Sequence, residues 1–394
     1  MRAGALKQQE QMDARWMRLS KFAKSRKTAR RPTATARFQT EIIADVPVPE
    51  RAEDVRFFSR KVVHPGRVRR FSNQDLRESA MALFYLVVAA AVPVRWWASI
   101  CDRMSRLRLK RHMRKQFPGY AAATRAVLGS GLDARTLFEA LLAARHRRRL
   151  QLAAHLVGFR WVPTIRLEGQ EGLQAALLRG HGAIVWCDQF TSQTIFGKRA
   201  LHEAGIEAHQ VSVNSHGVSE SMFGLRFLNQ PLVKVENRYL KSRIVFERDD
   251  AYQVTIRIQK ILRHNGVVLM TNTIHAGSTF TEVALGEGGW THLASAPANF
   301  AARGKAALFA MSTFETIPFR EYQAVISPEL LPAEAEMGRD GAKDMVLQAR
   351  YILLKRDRLL EALKLFPEQM LIWSGSRRMT EASDDAMTGD ETGS

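Results

Sequence analysis

Residues 180–214, GHGAIVWCDQFTSQTIFGKRALHEAGIEAHQVSVN, constrain the fold more than any other stretch of the sequence. The apolar run AIVW lies between Gly182 and the polar residues CDQ, which is typical of a short strand covered on both faces. Thr191 and Ser192 favour the start of a helix, and Gly205 lies where a helix C-cap is expected. The alternating residues HQVSVN then predict a second strand. A strand that runs straight into a helix places the side chains of its turn at the carboxyl edge of a sheet, where α/β proteins usually bind their ligands.

Strand-like and helix-like segments alternate from about residue 160 to residue 330. The segments LQAALLRG, RIQKILRHNG and ANFAARGKAAL have the composition of helices, and VVLMTNTI, ALFAMSTFE and YQAVISPEL have the composition of strands. A long amphipathic helix, DMVLQARYILLKRDRLLEALKLF, follows them. Alternation of this kind favours a layered α/β domain with a largely parallel sheet, which we predict for residues 156–378.

The formal net charge of +20 favours an anionic partner, which is a nucleic acid, an anionic membrane surface or a phosphorylated substrate. The sequence carries no zinc-finger, helix-turn-helix or aromatic RNA-binding signature, so we expect no nucleic-acid partner. Its two cysteines, Cys101 and Cys187, offer neither a disulfide framework nor a cluster of metal ligands. We therefore expect a reducing compartment and no metal.

The two ends of the chain have a biased composition. Residues 1–75 include the run KFAKSRKTARRPTATARF and few large apolar residues, which predicts a basic, disordered arm. Residues 379–394 contain acidic residues but no lysine or arginine, and we predict an acidic, disordered tail there.

Residues 80–94, AMALFYLVVAAAVPV, are uncharged and mostly apolar, and Trp96 and Trp97 follow them. The run is shorter than the roughly 20 residues of a membrane-spanning helix. The next segment, CDRMSRLRLKRHMRKQF, interleaves apolar residues with many cations, as interfacial helices do. We therefore predict that residues 76–155 form a membrane-associated helical region, whose second basic cluster, His146–Arg149, also suits anionic head groups. A buried core helix followed by a solvated basic helix is the alternative.

Four segments of the sequence are informative because of the order in which they occur. They are the apolar segment that ends VPVRWW, LLRGHGAIVWCDQFTSQTIFGKRALHEAG, NGVVLMTNTIHAGSTFTEVALGEGGWTHLASAPANFAARGKAAL and FPEQMLIW. In this order they resemble the bacterial lipid A acyltransferases, the lauroyl and myristoyl transferases of the lysophospholipid acyltransferase superfamily. The resemblance covers roughly residues 80–375. It implies a lysophospholipid-acyltransferase-like layered α/β domain with an N-terminal membrane-associated helical segment.

The resemblance also implies a catalytic mechanism. In that family a histidine accepts the proton of the acceptor hydroxyl, and a carboxylate five residues later orients the histidine. Aligned without gaps, Gln189 lies at the position of the histidine and Thr194 at the position of the carboxylate. Glutamine is not a base, and threonine cannot orient an imidazole through charge, so the family's motif is degenerate in this chain.

Three other residues are candidates for the missing chemistry. Asp188 is either a base or the N-cap of the following helix. His275 follows the next glycine-bearing strand, and it is either a base at the same sheet edge or a polar surface residue. Cys187 is either an acceptor for an acyl group or a small buried residue.

The resemblance places Asn214, His216 and Arg226 where the acceptor lipid or its phosphate would be bound, for which an arginine is well suited. It implies no cofactor, because an acyl thioester of acyl carrier protein or coenzyme A serves as the donor substrate. The implied partners are a membrane lipid and that thioester, and the implied location is the cytoplasmic face of a bacterial inner membrane.

Two hypotheses from different classes follow. The first is a membrane-associated acyltransferase that moves a fatty acyl group from the thioester to a lipid or saccharolipid hydroxyl. The second is a non-catalytic relative that binds an acyl chain or a lipid, because both catalytic positions, Gln189 and Thr194, have changed.

Overall fold

The computed structural model describes residues 37–47, 54–64, 69–107, 109–158, 161–213, 216–246, 251–272, 279–331 and 341–371. These residues form a mixed α/β structure with eleven α-helices and two β-sheets. The helices are α1 Asn73–Ala91, α2 Trp97–Leu107, α3 Leu109–Lys115, α4 Phe117–Leu128, α5 Ala134–Val157, α6 Gln170–Leu178, α7 Lys198–Glu203, α8 Gln230–Asn237, α9 Ala251–Arg263, α10 Ala296–Gly304 and α11 Gly341–Leu365. The strands are β1 Arg37–Pro47, β2 Asp54–His64, β3 Thr164–Glu168, β4 Ala183–Cys187, β5 Ala208–Val213, β6 Ser242–Phe246, β7 Val267–Thr271, β8 Thr279–Leu285, β9 Gly289–Ala294, β10 Ala307–Ile317 and β11 Glu321–Ile326.

The larger sheet has seven strands in the order β3-β11-β10-β4-β7-β5-β6. Five of them, from β10 to β6, are parallel, which confirms the prediction of a parallel sheet for this part of the chain. Strands β3 and β11 run the other way, because a tight turn joins β10 to β11 and reverses the chain. Phe319 in that turn has a φ of 60°, so a left-handed residue closes the hairpin.

Strand β4 lies in the middle of this sheet, and all five of its residues are buried. Ile184 and Trp186 pack towards helices α9, α10 and α11. Ala183, Val185 and Cys187 pack on the opposite face towards α6 and α7. The uninterrupted apolar run AIVW is therefore explained by helices on both faces of a central parallel strand.

The smaller sheet is antiparallel, in the order β1-β2-β8-β9. Its inward residues Phe57, Val283 and Leu293 belong to the same core as α11, so this helix layer lies between the two sheets. Strands β1 and β2 fall within residues 1–75, and the prediction of a disordered arm is wrong for these two segments. Val55 and Phe57 of β2 are buried in this core, and Phe58, on the other side of the strand, is buried against Phe280, although the segment carries several cations.

Helices α1 and α2 pack on α5, which reaches the carboxyl end of β10, and α4 packs on α5 through Tyr120 and Phe138. Tyr85 of α1 and Cys101 of α2 pack on Leu150 of α5, next to Phe319 in the β10–β11 turn. The predicted helical character of residues 76–155 is confirmed. None of the helices that the structure describes is both long enough and apolar enough to cross a membrane.

Helix α5 also buries a histidine among aromatic rings. His155 is 7% exposed, and its ring lies 5.2 Å from the ring centroid of Trp161 and 5.6 Å from that of Phe196. Its Nδ1 hydrogen-bonds the Gln151 carbonyl at 2.8 Å. Burial lowers the pKa of His155 from about 6.5 to about 4, because the cationic form loses its hydration.

His155 is expected to make the protein sensitive to acid. Its folded pKa is below its unfolded pKa, so the unfolded state binds the proton first, and the free energy of unfolding falls as the pH drops from about 6.5 to about 4. The expected loss is about 3 kcal/mol. Urea unfolding of the wild type and of His155→Phe across this range measures it. The variant should lack this part of the loss, whereas His264→Phe, at an exposed histidine, should keep it.

Candidate active site

The predicted strand, turn and helix of residues 180–214 are present, and the turn lies at the carboxyl end of β4. The helix begins with a π-helical turn, Gln193–Gly197, before it continues as α7. A Cβ atom on Gly197 would lie 2.5 Å from Gln193 Nε2, so a larger residue there would require the Gln193 side chain to shift. Such π-turns are frequent at functional sites, which makes this turn the first place to examine.

Asp188, the first residue of the turn, is fully buried and bound from three sides. Its Oδ1 lies 2.7 Å from Lys355 Nζ of α11 and 3.3 Å from Asn272 Nδ2, and its Oδ2 accepts a hydrogen bond of 2.8 Å from Ser312 Oγ. Lys355 is also fully buried. The N-cap interpretation of Asp188 is wrong, because the helix begins beyond it with Ser192 at its N-cap. A carboxylate that is held in this ion pair is also poorly placed to accept a proton from a ligand.

The two residues that were predicted to replace a catalytic pair, Gln189 and Thr194, lie on either side of the start of the π-turn. Gln189 is half-buried, and its carbonyl accepts a hydrogen bond of 3.0 Å from the Leu371 amide. Thr194 Oγ1 accepts a hydrogen bond of 3.1 Å from Arg148 Nη2 of α5. The position predicted to match an acidic residue therefore carries a neutral hydroxyl that accepts a hydrogen bond from a cation.

The C-terminal segment Pro367–Leu371 lies against this turn. Phe190 forms a β-bridge with Met370, and the Thr191 amide donates a hydrogen bond of 2.9 Å to the Gln369 carbonyl. The Gln369 side chain in turn accepts from the Glu315 amide and donates to the Glu315 carbonyl, each at 2.8 Å. The segment Pro367–Leu371 thus connects this turn to β10.

The basic cluster His146–Arg149, predicted to face lipid head groups, points to partners inside the protein instead. His146 Nδ1 lies 2.6 Å from the Tyr85 hydroxyl, and Arg149 forms an ion pair of 3.0 Å with Glu78. These two contacts join α5 to α1. Arg147 contacts Glu315 of β10 and Arg148 contacts Thr194 of the π-turn, so all four residues of the cluster have partners within the protein.

The carboxylate of Glu315, near the end of β10, accepts four hydrogen bonds. Arg147 Nε lies 2.5 Å from Oε2, and Oε1 accepts from Gln151 Nε2 at 2.8 Å and from the Tyr322 hydroxyl at 3.0 Å. The amide of Phe319 completes the set at 2.9 Å. Burial, together with the charge of Glu315, raises the pKa of Tyr322 well above its ordinary value.

A second charged cluster lies beside the π-turn, around Glu236 of α8. Glu236 is fully buried, and it contacts Lys198 Nζ at 3.0 Å, the Arg243 guanidinium, and His216 Nε2 at 2.8 Å. Burial alone would raise the pKa of Glu236, but Lys198, His216 and Arg243 outweigh it and hold the pKa well below its usual range. The predicted lipid contact His216 is therefore engaged by a carboxylate of the protein.

The remaining predicted site residues are dispersed or outside the described chain. Arg226 is exposed, and its guanidinium lies 5.5 Å from the Phe227 ring centroid. Asn214 and His275 lie outside the residues that the structure describes. Cys187 is buried, and burial raises the pKa of its thiol to about 12, as expected for a structural residue and not for an acyl acceptor.

Lys355 and Glu236 were missed by the sequence analysis, and Arg148 was noted only as a member of the basic cluster His146–Arg149. The only available signal was a charged residue within an apolar stretch, such as the lysine in RYILLKRDRLL, and such residues usually face solvent. Among the described residues, no group of three or more histidine, cysteine or carboxylate side chains could hold a metal ion.

No protein-family model matches this chain, and no curated protein matches it either.

Proposed function

We propose that this chain is a membrane-associated protein of the lipid A acyltransferase type that binds an acyl chain or a lipid without transferring it. One observation carries the proposal, namely that the turn after β4 contains Gln189 and Thr194 where transfer needs a base and its carboxylate. Thr194 is bound to Arg148, so the environment of that position suits an anion more than an imidazolium ion.

The neighbouring titratable groups support binding over transfer. A lipid hydroxyl is a weak nucleophile until a base accepts its proton, and a thiol attacks a thioester only as the thiolate. Asp188 is already paired with Lys355, and the raised pKa of Cys187 keeps its thiol protonated at neutral pH. Neither group offers an alternative route for the acyl group.

Acyl transfer from acyl carrier protein or coenzyme A to a lipid or saccharolipid hydroxyl is the second candidate function. The bridge between Phe190 and Met370 favours it, because two of the four sequence blocks that carry the resemblance meet there. In this case His275 is the residue from which we would expect the base.

We expect the purified full-length protein in detergent to bind a fluorescent fatty acyl chain saturably and to transfer none of it. Binding is measured with the fluorescent acyl chain. Transfer is measured on the same protein sample with radiolabelled acyl-carrier-protein and acyl-coenzyme A donors and with phospholipid and saccharolipid acceptors. The reason is that a turn without a base can hold the acyl chain but cannot activate the acceptor.

Variants separate the two candidate functions. His275→Ala is compared with His202→Ala, which removes an exposed histidine at the far end of α7. Transfer that His275→Ala abolishes and His202→Ala preserves would establish the enzyme and overturn the binding proposal. A protein that neither binds nor transfers the acyl chain would contradict both.

A further inference from the structure

We infer that the outer face of α1 is a docking surface for an anionic lipid bilayer, on which the helix lies parallel to the membrane plane. This inference deepens the membrane association named above, and it applies equally to a binding protein and to an enzyme. It rests on the exposed residues of α1 and on the placement of charge around them.

The inner face of α1 packs against other parts of the protein. Tyr85 and Val88 are buried against α5, and Glu78 pairs with Arg149 of that helix. Asp75 at the start of α1 caps the helix together with Ser72, and it accepts a hydrogen bond of 2.5 Å from Ser219 Oγ. One face of α1 is therefore fixed to the rest of the molecule.

The outer face carries large apolar side chains that the protein leaves in contact with solvent. Leu76, Leu83 and Val87 are 66%, 65% and 58% exposed. Their spacing of seven and then four residues, with the exposed Ala80 between the first two, places them in one stripe along the helix. A stripe of this kind costs free energy in water and is typical of a surface that is covered in use.

Aromatic residues extend the stripe at both ends of α1. Phe71 precedes the helix and is 50% exposed, and its ring packs edge-on against Phe223 at 5.3 Å. Trp96 follows the helix and is 53% exposed. Tryptophan at the end of an apolar stripe suits the boundary between acyl chains and head groups.

The charge around the stripe identifies the occupant. Both carboxylates of α1, Asp75 and Glu78, are turned inwards and buried, so neither would approach a lipid phosphate. Arg69 and Arg70 are exposed before the helix, and Arg95 is exposed after it, with its guanidinium 5.9 Å from the Trp96 ring centroid. An apolar stripe between cations, without exposed carboxylates of its own, is complementary to an anionic bilayer.

The packing of α1 on α5 favours an orientation parallel to the membrane. The helix has 19 residues, so it is about 28 Å long. Only one side of it is apolar and exposed, and its other side is packed on α5, so the helix cannot leave the protein to span the bilayer without exposing Asp75 and Glu78 to lipid. The stripe therefore inserts sideways, to the depth of the side chains.

A fluorescent probe at position 83 tests the inference. Leu83→Cys is labelled with an environment-sensitive fluorophore, and Leu178→Cys on α6, a leucine that is 90% exposed against 65% for Leu83, is the control on a different helix. The native thiols of Cys101 and Cys187 are buried and have raised pKa values, so labelling is confined to the new cysteine. With vesicles of phosphatidylcholine and phosphatidylglycerol, the probe at position 83 should become brighter and shift to the blue, and the probe at position 178 should not.

The basic N-terminal segment can also attract anionic vesicles, so binding itself is measured at high salt, which screens that contribution. Leu83→Glu should then weaken vesicle partitioning about tenfold, because it exchanges buried apolar area for a charge, while Leu178→Glu should leave it unchanged. Equal binding of the two variants, or equal response of the two probes, would overturn the inference. A response at position 83 that depends on protein concentration without vesicles would assign the stripe to a second copy of the chain instead.

Discussion

Replacing Lys355 with methionine is expected to lower the free energy of unfolding by about 3–5 kcal/mol, because it leaves a buried carboxylate without its counter-ion. Lys355 and Asp188 are both fully buried, and Nζ lies 2.7 Å from Oδ1. Methionine has nearly the same length and fits the apolar environment beside Trp186, so the loss of packing is small. What remains is the desolvated charge of Asp188, to which Ser312 and Asn272 donate hydrogen bonds among the described residues.

Guanidinium unfolding of three variants isolates this effect. Asp188→Asn alone leaves the lysine unpaired and should also destabilise the protein, whereas combining Asp188→Asn with Lys355→Met removes both charges and should restore much of the lost stability. Lys241→Met is the control, because Lys241 pairs with Glu207 on the surface, and it should change the free energy of unfolding little. Additive losses in the double variant would show that the two side chains do not act as a pair.

This ion pair also shows why the site could not be derived from the sequence. The run AIVWCDQ predicts the strand and its turn correctly, because a central parallel strand needs apolar residues on both faces. The partner of Asp188, however, comes from α11, whose position over β4 depends on the packing of the whole helix layer. The separation of Asp188 and Lys355 along the sequence gives no indication that they are in contact.

The partners of the basic cluster His146–Arg149 on α5 were likewise not predictable from the sequence. Its composition predicts a solvated or lipid-facing surface, since several adjacent cations are rarely buried. In the structure Arg147 and Arg149 each find a carboxylate, Glu315 and Glu78, and Arg148 binds Thr194. Charge counts along the chain therefore locate this helix but do not reveal the partners of its cations within the protein.

Two features were predictable with better use of the pattern. The alternation in TFTEVAL and GWTHLA, separated by GEG, is typical of a hairpin, and these segments form β8 and β9. Gly286 in the turn has a φ of 71°, and a Cβ atom there would lie 1.8 Å from the Val127 carbonyl oxygen, which explains the glycine at this position. Val55 and Phe57 of β2 are the second feature, because they are two residues apart, as inward-facing strand residues are, although the segment also carries several cations.

Glu236→Gln is expected to destabilise the protein at neutral pH by about 3–5 kcal/mol, because it leaves two buried cations facing one another. Lys198 and Arg243 are 8% and 9% exposed, and both contact the Glu236 carboxylate. The substitution preserves the shape of the side chain, so the charge is the main change. Glu207→Gln is the matched control, because it removes the charge of an exposed Lys–Glu pair and should leave the free energy of unfolding nearly unchanged.

The pH dependence distinguishes loss of charge from loss of packing. The folded pKa of Glu236 is held below its unfolded value of about 4.5, so its charge stabilises the folded state fully above pH 4.5, and this contribution is lost as the pH falls below it. The difference in free energy of unfolding between the wild type and Glu236→Gln should therefore be largest at neutral pH and should shrink below pH 4.5. A difference that stays constant through this range would mean that the glutamine disturbs packing and that the ionised carboxylate does not hold the cluster together.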